Sequence, residues 1–152
     1  MEKEKETQGK KAVRRTIKVL VAIDGSEISD MVIKRSGQFQ KTTGCDLAVL
    51  AVIDSVISYK TMPENPASRE RVKAAEEVLK KAQDELKNHN VECKTLVAMG
   101  PIAGEIIRIA KEGDFDIIFV GSRGLGGIKR MLLGSVADTV LRDAHCSVML
   151  VR

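Results

Sequence analysis

Gly121-Ser122-Arg123-Gly124, nine further residues, and then Gly134-Ser135 are the residues of this chain best placed to do chemistry. The stretch opens where an apolar run, Phe115 to Val120, stops, and it closes where a helical pattern from Val136 to Arg142 begins. A strand that opens into glycines and then a helix start is an anion-binding arrangement. Glycine lets backbone approach a phosphate, and the first N–H groups of a helix have no partner inside it. Gly121 is expected to turn out of the strand with φ > 0, and Gly124 and Gly134 to leave room for phosphate. Ser135 can add a hydroxyl to its N–H, and the helix dipole adds roughly 0.3–1 kcal/mol for an anion. Arg123, Lys129 and Arg130 bring positive charge to the same loop. Gly126-Gly127 would make part of it a mobile flap or a plain turn.

The two common phosphate motifs are missing. The first apolar run, Ile17 to Ile23, leads into Asp24-Gly25-Ser26 and not into G-x-G-x-x-G. The later glycines, 121, 124, 126 and 127, do not have that spacing either, and Lys129 follows Ile128 where a G-x-x-x-x-G-K-[ST] loop needs glycine. Asp24, Ser26 or Ser29 could cap the helix that follows the first strand. Catalytic groups are scarce. His89 falls at a helix-end turn, His145 in a connection, and neither has a carboxylate partner visible in local sequence. Ser135 lacks the His and Asp that would make it a nucleophile. Glu76, Glu77, Glu112 and Asp114 read as solvated helix charges. Cys45, Cys93 and Cys146 are odd in number, lie far apart and lack metal-ligand spacing, so free thiols packed as small hydrophobes are expected.

Elements that position these residues follow from periodicity. Runs 17–23, 46–53 and 115–120 are apolar along their length, as central parallel strands covered on both faces are. Residues 91–98 start with polar alternation at Glu92 and Lys94 and suit an edge strand; 147–151 is the last strand. Helical spacing follows Ser26 as far as Gly44, then recurs from Ser68 or Arg69 to Lys87, from Pro101 to Glu112, and over 135–142. Pro63 and Pro66 make 56–68 a loop, and Asn88-His89-Asn90 breaks the second helix. The order βαβαβαβαβ implies one α/β domain: a parallel sheet, helices on both faces, right-handed crossovers. Ligands of such sheets bind beyond the carboxyl ends of the strands, where Asp24, Asp54, Gly100 and Gly121 fall and could share a crevice.

A chain of 152 residues is one domain's worth. Apolar residues make up 43% and no tryptophan is present, so the core must be aliphatic. No apolar run approaches the roughly 18 residues of a membrane span, and the charged N-terminus has no signal-peptide core, so the cytoplasm is the default location. The net charge of +4 is concentrated in residues 1–16, which hold six Lys/Arg and three Glu. Residues 1–15 read as a solvated, disordered tail. A nucleic-acid role is disfavoured, because the rest of the chain lacks a basic stripe interleaved with aromatics.

Gly121-x-x-Gly124-x9-Gly134-Ser135, together with Val19 to Ser26, resembles the universal stress protein family, and the likeness covers residues 16–152. The glycine pattern is the one that marks the family's ATP-binding members. The resemblance implies a Rossmann-like, three-layer domain whose five parallel strands run in the order 3-2-1-4-5. It implies ATP with Mg²⁺ or Mn²⁺ as ligand. Asp24 would serve the ribose and the metal, Ala22 the adenine side, and the backbone of Val52 the adenine edge. Val120 and Gly121 would lie against ribose and phosphates; Gly124, Gly134, Ser135 and Val136, with Arg123 nearby, would hold the phosphate chain. It also implies a homodimer through strand 147–151, and an unidentified protein partner. Three functions stay open: nucleotide-dependent stress or stress-signalling protein without efficient turnover, slow Mg²⁺-dependent ATPase or switch, and partner-binding protein empty of nucleotide.

Overall fold

The computed structural model describes residues 15–55, 66–126 and 132–152. Residues 1–14 of the charged tail, all of 56–65 with Pro63, and Gly127, Lys129 and Arg130 of the glycine loop lie outside them; Arg15, the last of the tail, is described and pairs with Asp116. Five strands and four helices alternate along the described chain. They are β1 (Lys18–Ile23), α1 (Glu27–Thr43), β2 (Asp46–Asp54), α2 (Pro66–Asn88), β3 (Lys94–Gly100), α3 (Ile102–Glu112), β4 (Ile117–Gly121), α4 (Ser135–Asp143) and β5 (Ser147–Val151). The sheet is parallel throughout and runs β3-β2-β1-β4-β5, the expected order. Among the described residues no helix is long and apolar enough to cross a membrane.

Two cores account for the unbroken apolar runs. Val19, Val21 and Ile23 of β1 and Leu47, Val49 and Ala51 of β2 face α1 and α2, whose Val32, Ile33, Leu79, Ala82 and Leu86 close that side. Leu20, Ala22, Ala48 and Leu50 face the other way, onto Ile106 and Ala110 of α3 and Ala137 and Val140 of α4. Alternate residues of a strand point to opposite faces, so a strand covered twice must be apolar at every position. Phe119, fully buried in β4, meets Phe39 of α1 with ring centroids 5.5 Å apart.

The edges look different. In β3, Thr95, Val97 and Met99 are exposed on one face; in β5, Ser147 and Met149 are. Cys45, Cys93 and Cys146 each stand one residue before a strand, at the amino ends of the sheet, as free thiols. Burial pushes all three thiols up, and the nearby Asp116 carboxylate adds to this at Cys146.

Two strands begin later than their apolar runs do, for one reason. Asn90 takes left-handed backbone (φ 57), and the Val91 N–H turns back to the Leu86 carbonyl at 2.9 Å, with Asn90 N–H on Lys87. Asp114 (φ 51) and Phe115 do the same at α3, onto Lys111 and Ala110. Both are Schellman caps, in which an apolar residue after the left-handed one packs back on the helix. Val91 and Phe115 are therefore buried as helix caps rather than as strand residues. Pro66 starts α2 instead of ending a loop, since a first-turn proline forgoes an N–H that has no helical partner. Pro101 sits one step earlier than expected, at the N-cap of α3.

Candidate functional site

The strand order reverses between β1 and β4, and the residues beyond their carboxyl ends build the site. Asp24 follows β1. Its Oδ1 accepts the Ser26 N–H and the Ser29 hydroxyl, both at 3.0 Å, and the Asp24 N–H donates to Ser29 Oγ at 3.2 Å. The first bond makes an Asx turn. Ser26 holds the N-cap position of α1 without a side-chain cap bond, so the carboxylate orders the turn ahead of the helix. Gly25 is left-handed (φ +80), and a Cβ on it would lie 2.8 Å from Val78 of α2, so the turn needs glycine on two counts.

The other carboxylate oxygen, Oδ2, accepts the Leu125 N–H at 2.9 Å, and a Cβ on Gly124 would lie 2.6 Å from it. Asp24 is thereby brought against the glycine loop, 100 residues away in sequence. Burial acts to raise its pKa, but the hydrogen bonds from Ser26, Leu125 and Ser29 outweigh it, and the group sits below the ordinary aspartate range.

Ser122 fixes the root of the loop. Its N–H donates to the Val151 carbonyl at 2.8 Å and its carbonyl accepts the Gly134 N–H at 2.6 Å. Gly134 is the N-cap of α4 and supplies no side-chain cap, which leaves the first-turn N–H groups at Ser135 and Val136 to an outside acceptor. A Cβ on Gly134 would lie 3.3 Å from the Ser122 carbonyl oxygen and 3.4 Å from Arg123 Cα. Ser135 is exposed, Val136 is half-buried against the α3–α4 core, and Arg123 is exposed.

Ala22, Val52 and Val120 share the sheet face toward α3 and α4: Ala22 is in register with Val120, and Val52 with Ala98. Gly121 departs from expectation. Among the described glycines, positive φ occurs at Gly25 and Gly44 and not at Gly121. A Cβ there would lie 2.7 Å from Ile28 Cγ2 and 3.2 Å from the Arg123 carbonyl oxygen. The space it leaves is filled by α1 and by the loop's own backbone.

His89 also differs: it has a carboxylate partner, Glu85 one turn back on α2, at 3.2 Å, and both are exposed. His145 precedes β5, at the opposite end of the sheet from the loop. Arg108 ties Glu105 and Glu112 together on the surface of α3. Sequence reasoning offered Ser29 as a possible cap but missed its grip on Asp24; it named Ser122 within the glycine stretch without a role, and it missed Leu125 altogether. The serine spacing Asp24-x-Ser26-x-x-Ser29 carried a signal; a backbone donor and a backbone clasp leave none.

Chemically, the site offers one carboxylate held by neutral donors, an uncapped helix start, and a Gly124 that packs too closely on Asp24 to carry a Cβ. That donor set fits a phosphate chain. It fits a divalent cation that arrives with phosphates, since among the described residues no cluster of three or more His, Cys, Asp or Glu could hold a metal unaided.

Known proteins match this chain over nearly its whole length. Universal stress protein YxiE of Bacillus subtilis (strain 168) is 33% identical over 145 residues, covering 89% of this chain and 98% of that protein. Universal stress protein MJ0531 of Methanocaldococcus jannaschii is 30% identical over 139 residues, covering 89% and 81%. Among solved structures, hypothetical protein MJ0577 superposes with a TM-score of 0.80 at 28% identity, covering 88% of this chain and 94% of its own. A universal stress protein in complex with cAMP superposes with a TM-score of 0.71 at 25% identity, covering 90% and 97%. The sequence model of the Universal stress protein family matches residues 16–152, and with these relatives it shows that the chain belongs to that family.

Proposed function

We propose that the crevice between the carboxyl ends of β1 and β4 binds ATP together with Mg²⁺ or Mn²⁺, and that the protein acts as a nucleotide-dependent stress or signalling protein without efficient turnover. The observation that carries this is the start of α4, whose N-cap Gly134 supplies no side chain and packs on the backbone of the loop that Asp24 holds. Ser135 and Val136 donate their N–H groups to phosphate, with the α4 dipole behind them. Ala22, Val52 and Val120 receive the base, with the backbone of Val52 on its edge. Val120 continues to the ribose; Gly121 acts by seating the loop. Arg123 adds positive charge, and Asp24 takes the ribose or the cation. A relative in complex with cAMP supports an adenine nucleotide as the ligand class.

Low turnover follows from the same donors. Asp24 is already engaged by three neutral donors, and a backbone cradle holds ground-state phosphates about as well as a transition state, which gives affinity without rate. Calorimetric titration with ATP and Mg²⁺ tests the reading: the unmodified protein binds, and Gly134→Val, which still unfolds cooperatively, does not. Equal affinity in both would sink it. A single-turnover rate above about 1 s⁻¹, lost in Asp24→Ala, would favour the ATPase instead.

The assembly proposed is a homodimer in which β5 pairs with the β5 of a second copy. Its supports are the open edge and Met149, 39% exposed on a five-residue strand. Such a contact is self-complementary about a twofold axis. Met149→Asp is expected to shift the particle from dimer to monomer in light scattering; an unmodified chain that is already monomeric would count against the pairing.

A further inference from the structure

The two oxygens of Asp24 are used differently. Oδ1 is held within its own turn by the Ser26 N–H and the Ser29 hydroxyl, and Ser29 is buried. Oδ2 faces the loop and holds a single loop amide, that of Leu125, among the described residues. Gly124 packs so closely on Oδ2 that a Cβ would lie 2.6 Å away. The glycine at 124 is thus required by the loop's contact with the carboxylate, before any phosphate is considered.

We infer that the Asp24 Oδ2–Leu125 N–H hydrogen bond is a latch that holds Gly124 and Leu125 against the carboxylate in the nucleotide-free protein, and that a divalent cation arriving with a nucleoside triphosphate releases it. The inference rests on the nucleotide reading above. The amide points the positive end of its dipole at Oδ2. A cation held by that oxygen would compete with the amide for it, since both bring positive charge to the same acceptor. Oδ1 keeps its two donors throughout, so the carboxylate stays aimed while its free oxygen changes partner. Ser29 is a positioning residue in this scheme, acting through Asp24. Release matters at the surface because the Leu125 side chain is 74% exposed, so the latch governs where an apolar side chain is presented.

Hydrogen exchange at the Leu125 amide of the full chain, followed by NMR, tests this. In the nucleotide-free protein the amide is expected to exchange about tenfold or more slowly than in Asp24→Ala, as loss of a charge-assisted hydrogen bond would give. Asp24→Asn, which keeps an oxygen acceptor without the charge, falls between them and serves if the alanine variant does not fold. Saturating Mg²⁺·ATP is expected to bring the unmodified amide to the fast rate. Calorimetry on the same samples separates the failures. If ATP binds and the Leu125 amide stays slow, the latch is overturned and the nucleotide reading stands. If no ATP binds, the nucleotide reading falls and release falls with it. An amide already fast in the free protein overturns the latch outright.

Discussion

Asp24 and Asp116 stand at opposite ends of the same strand pair, β1 and β4, and do matching jobs with different partners. Each accepts a backbone N–H from the far side of the sequence: Asp116 from Lys18 at 2.8 Å, Asp24 from Leu125 at 2.9 Å. Asp116 is then neutralised by the Arg15 guanidinium on its other oxygen. Lys18 completes that end, donating to the Gly113 carbonyl and lying 5.0 Å from the centroid of the Phe115 ring. Among the described residues, Asp24 receives only uncharged donors. A carboxylate matched by a cation has finished its work as a fastener. One held by dipoles keeps a full negative charge and remains available to a cation from outside. The amino end of the sheet is closed in this sense, and the carboxyl end is open.

Paired substitutions give the largest effect that could break this comparison. Asp24→Ala and Asp116→Ala should each cost about 1–3 kcal/mol in denaturant unfolding, because each removes hydrogen bonds to a charged group. ATP affinity should separate them: at least about tenfold weaker in the Mg²⁺-dependent part for Asp24→Ala, unchanged for Asp116→Ala. Equal losses of affinity in the two variants would erase the distinction between the ends.

Gly121 sharpens the comparison with a smaller effect. It sits at the open end, yet its missing Cβ makes room for Ile28 and a carbonyl oxygen. Gly121→Val should therefore lose about 1–3 kcal/mol of stability, as overpacking does, with a weaker affinity explained by a displaced loop. Gly121→Val with a partner cut Ile28→Ala should recover part of the stability in thermal melts. No recovery would return Gly121 to the phosphate side.

Acid unfolding should show the smallest effect. The folded pKa of Asp24 lies below its unfolded value, so its contribution is complete above about pH 4 and is lost as pH falls through the folded pKa. Asp24→Asn should lower stability above about pH 4 by a constant amount and remove that part of the acid-side loss, leaving the slope of the neutral-to-basic limb unchanged. An acid limb identical to that of the unmodified protein would mean that the carboxylate gains nothing from Ser26, Ser29 and Leu125.

The sequence made the sheet readable because β1, β2 and β4 are buried on both faces, and such strands announce themselves as continuous apolar runs. The carboxyl-end placement of Asp24, Asp54 and Gly121 followed directly. Val91 and Phe115 misled for the converse reason: a buried apolar residue next to a strand reads as strand even when it is a helix cap, and left-handed Asn90 and Asp114 lack the glycine that usually marks one. At the site, Asp24 and the glycines were legible by type. That Gly124 answers to a carboxylate, and Gly121 to Ile28, was not, because a glycine's sequence position does not say which neighbour its missing Cβ would have struck.

The clasp between the Ser122 carbonyl and the Gly134 N–H turns residues 123–133 into a ring with a fixed base. Asp24 pins that ring a second time through the Leu125 N–H, so its first residues stay tied to the end of β1. Doubling the length of such a closed segment costs only about 0.6 kcal/mol of closure entropy. The segment between Gly126 and Leu132 can therefore be lengthened at small entropic cost, altering what the loop reaches while both anchors hold.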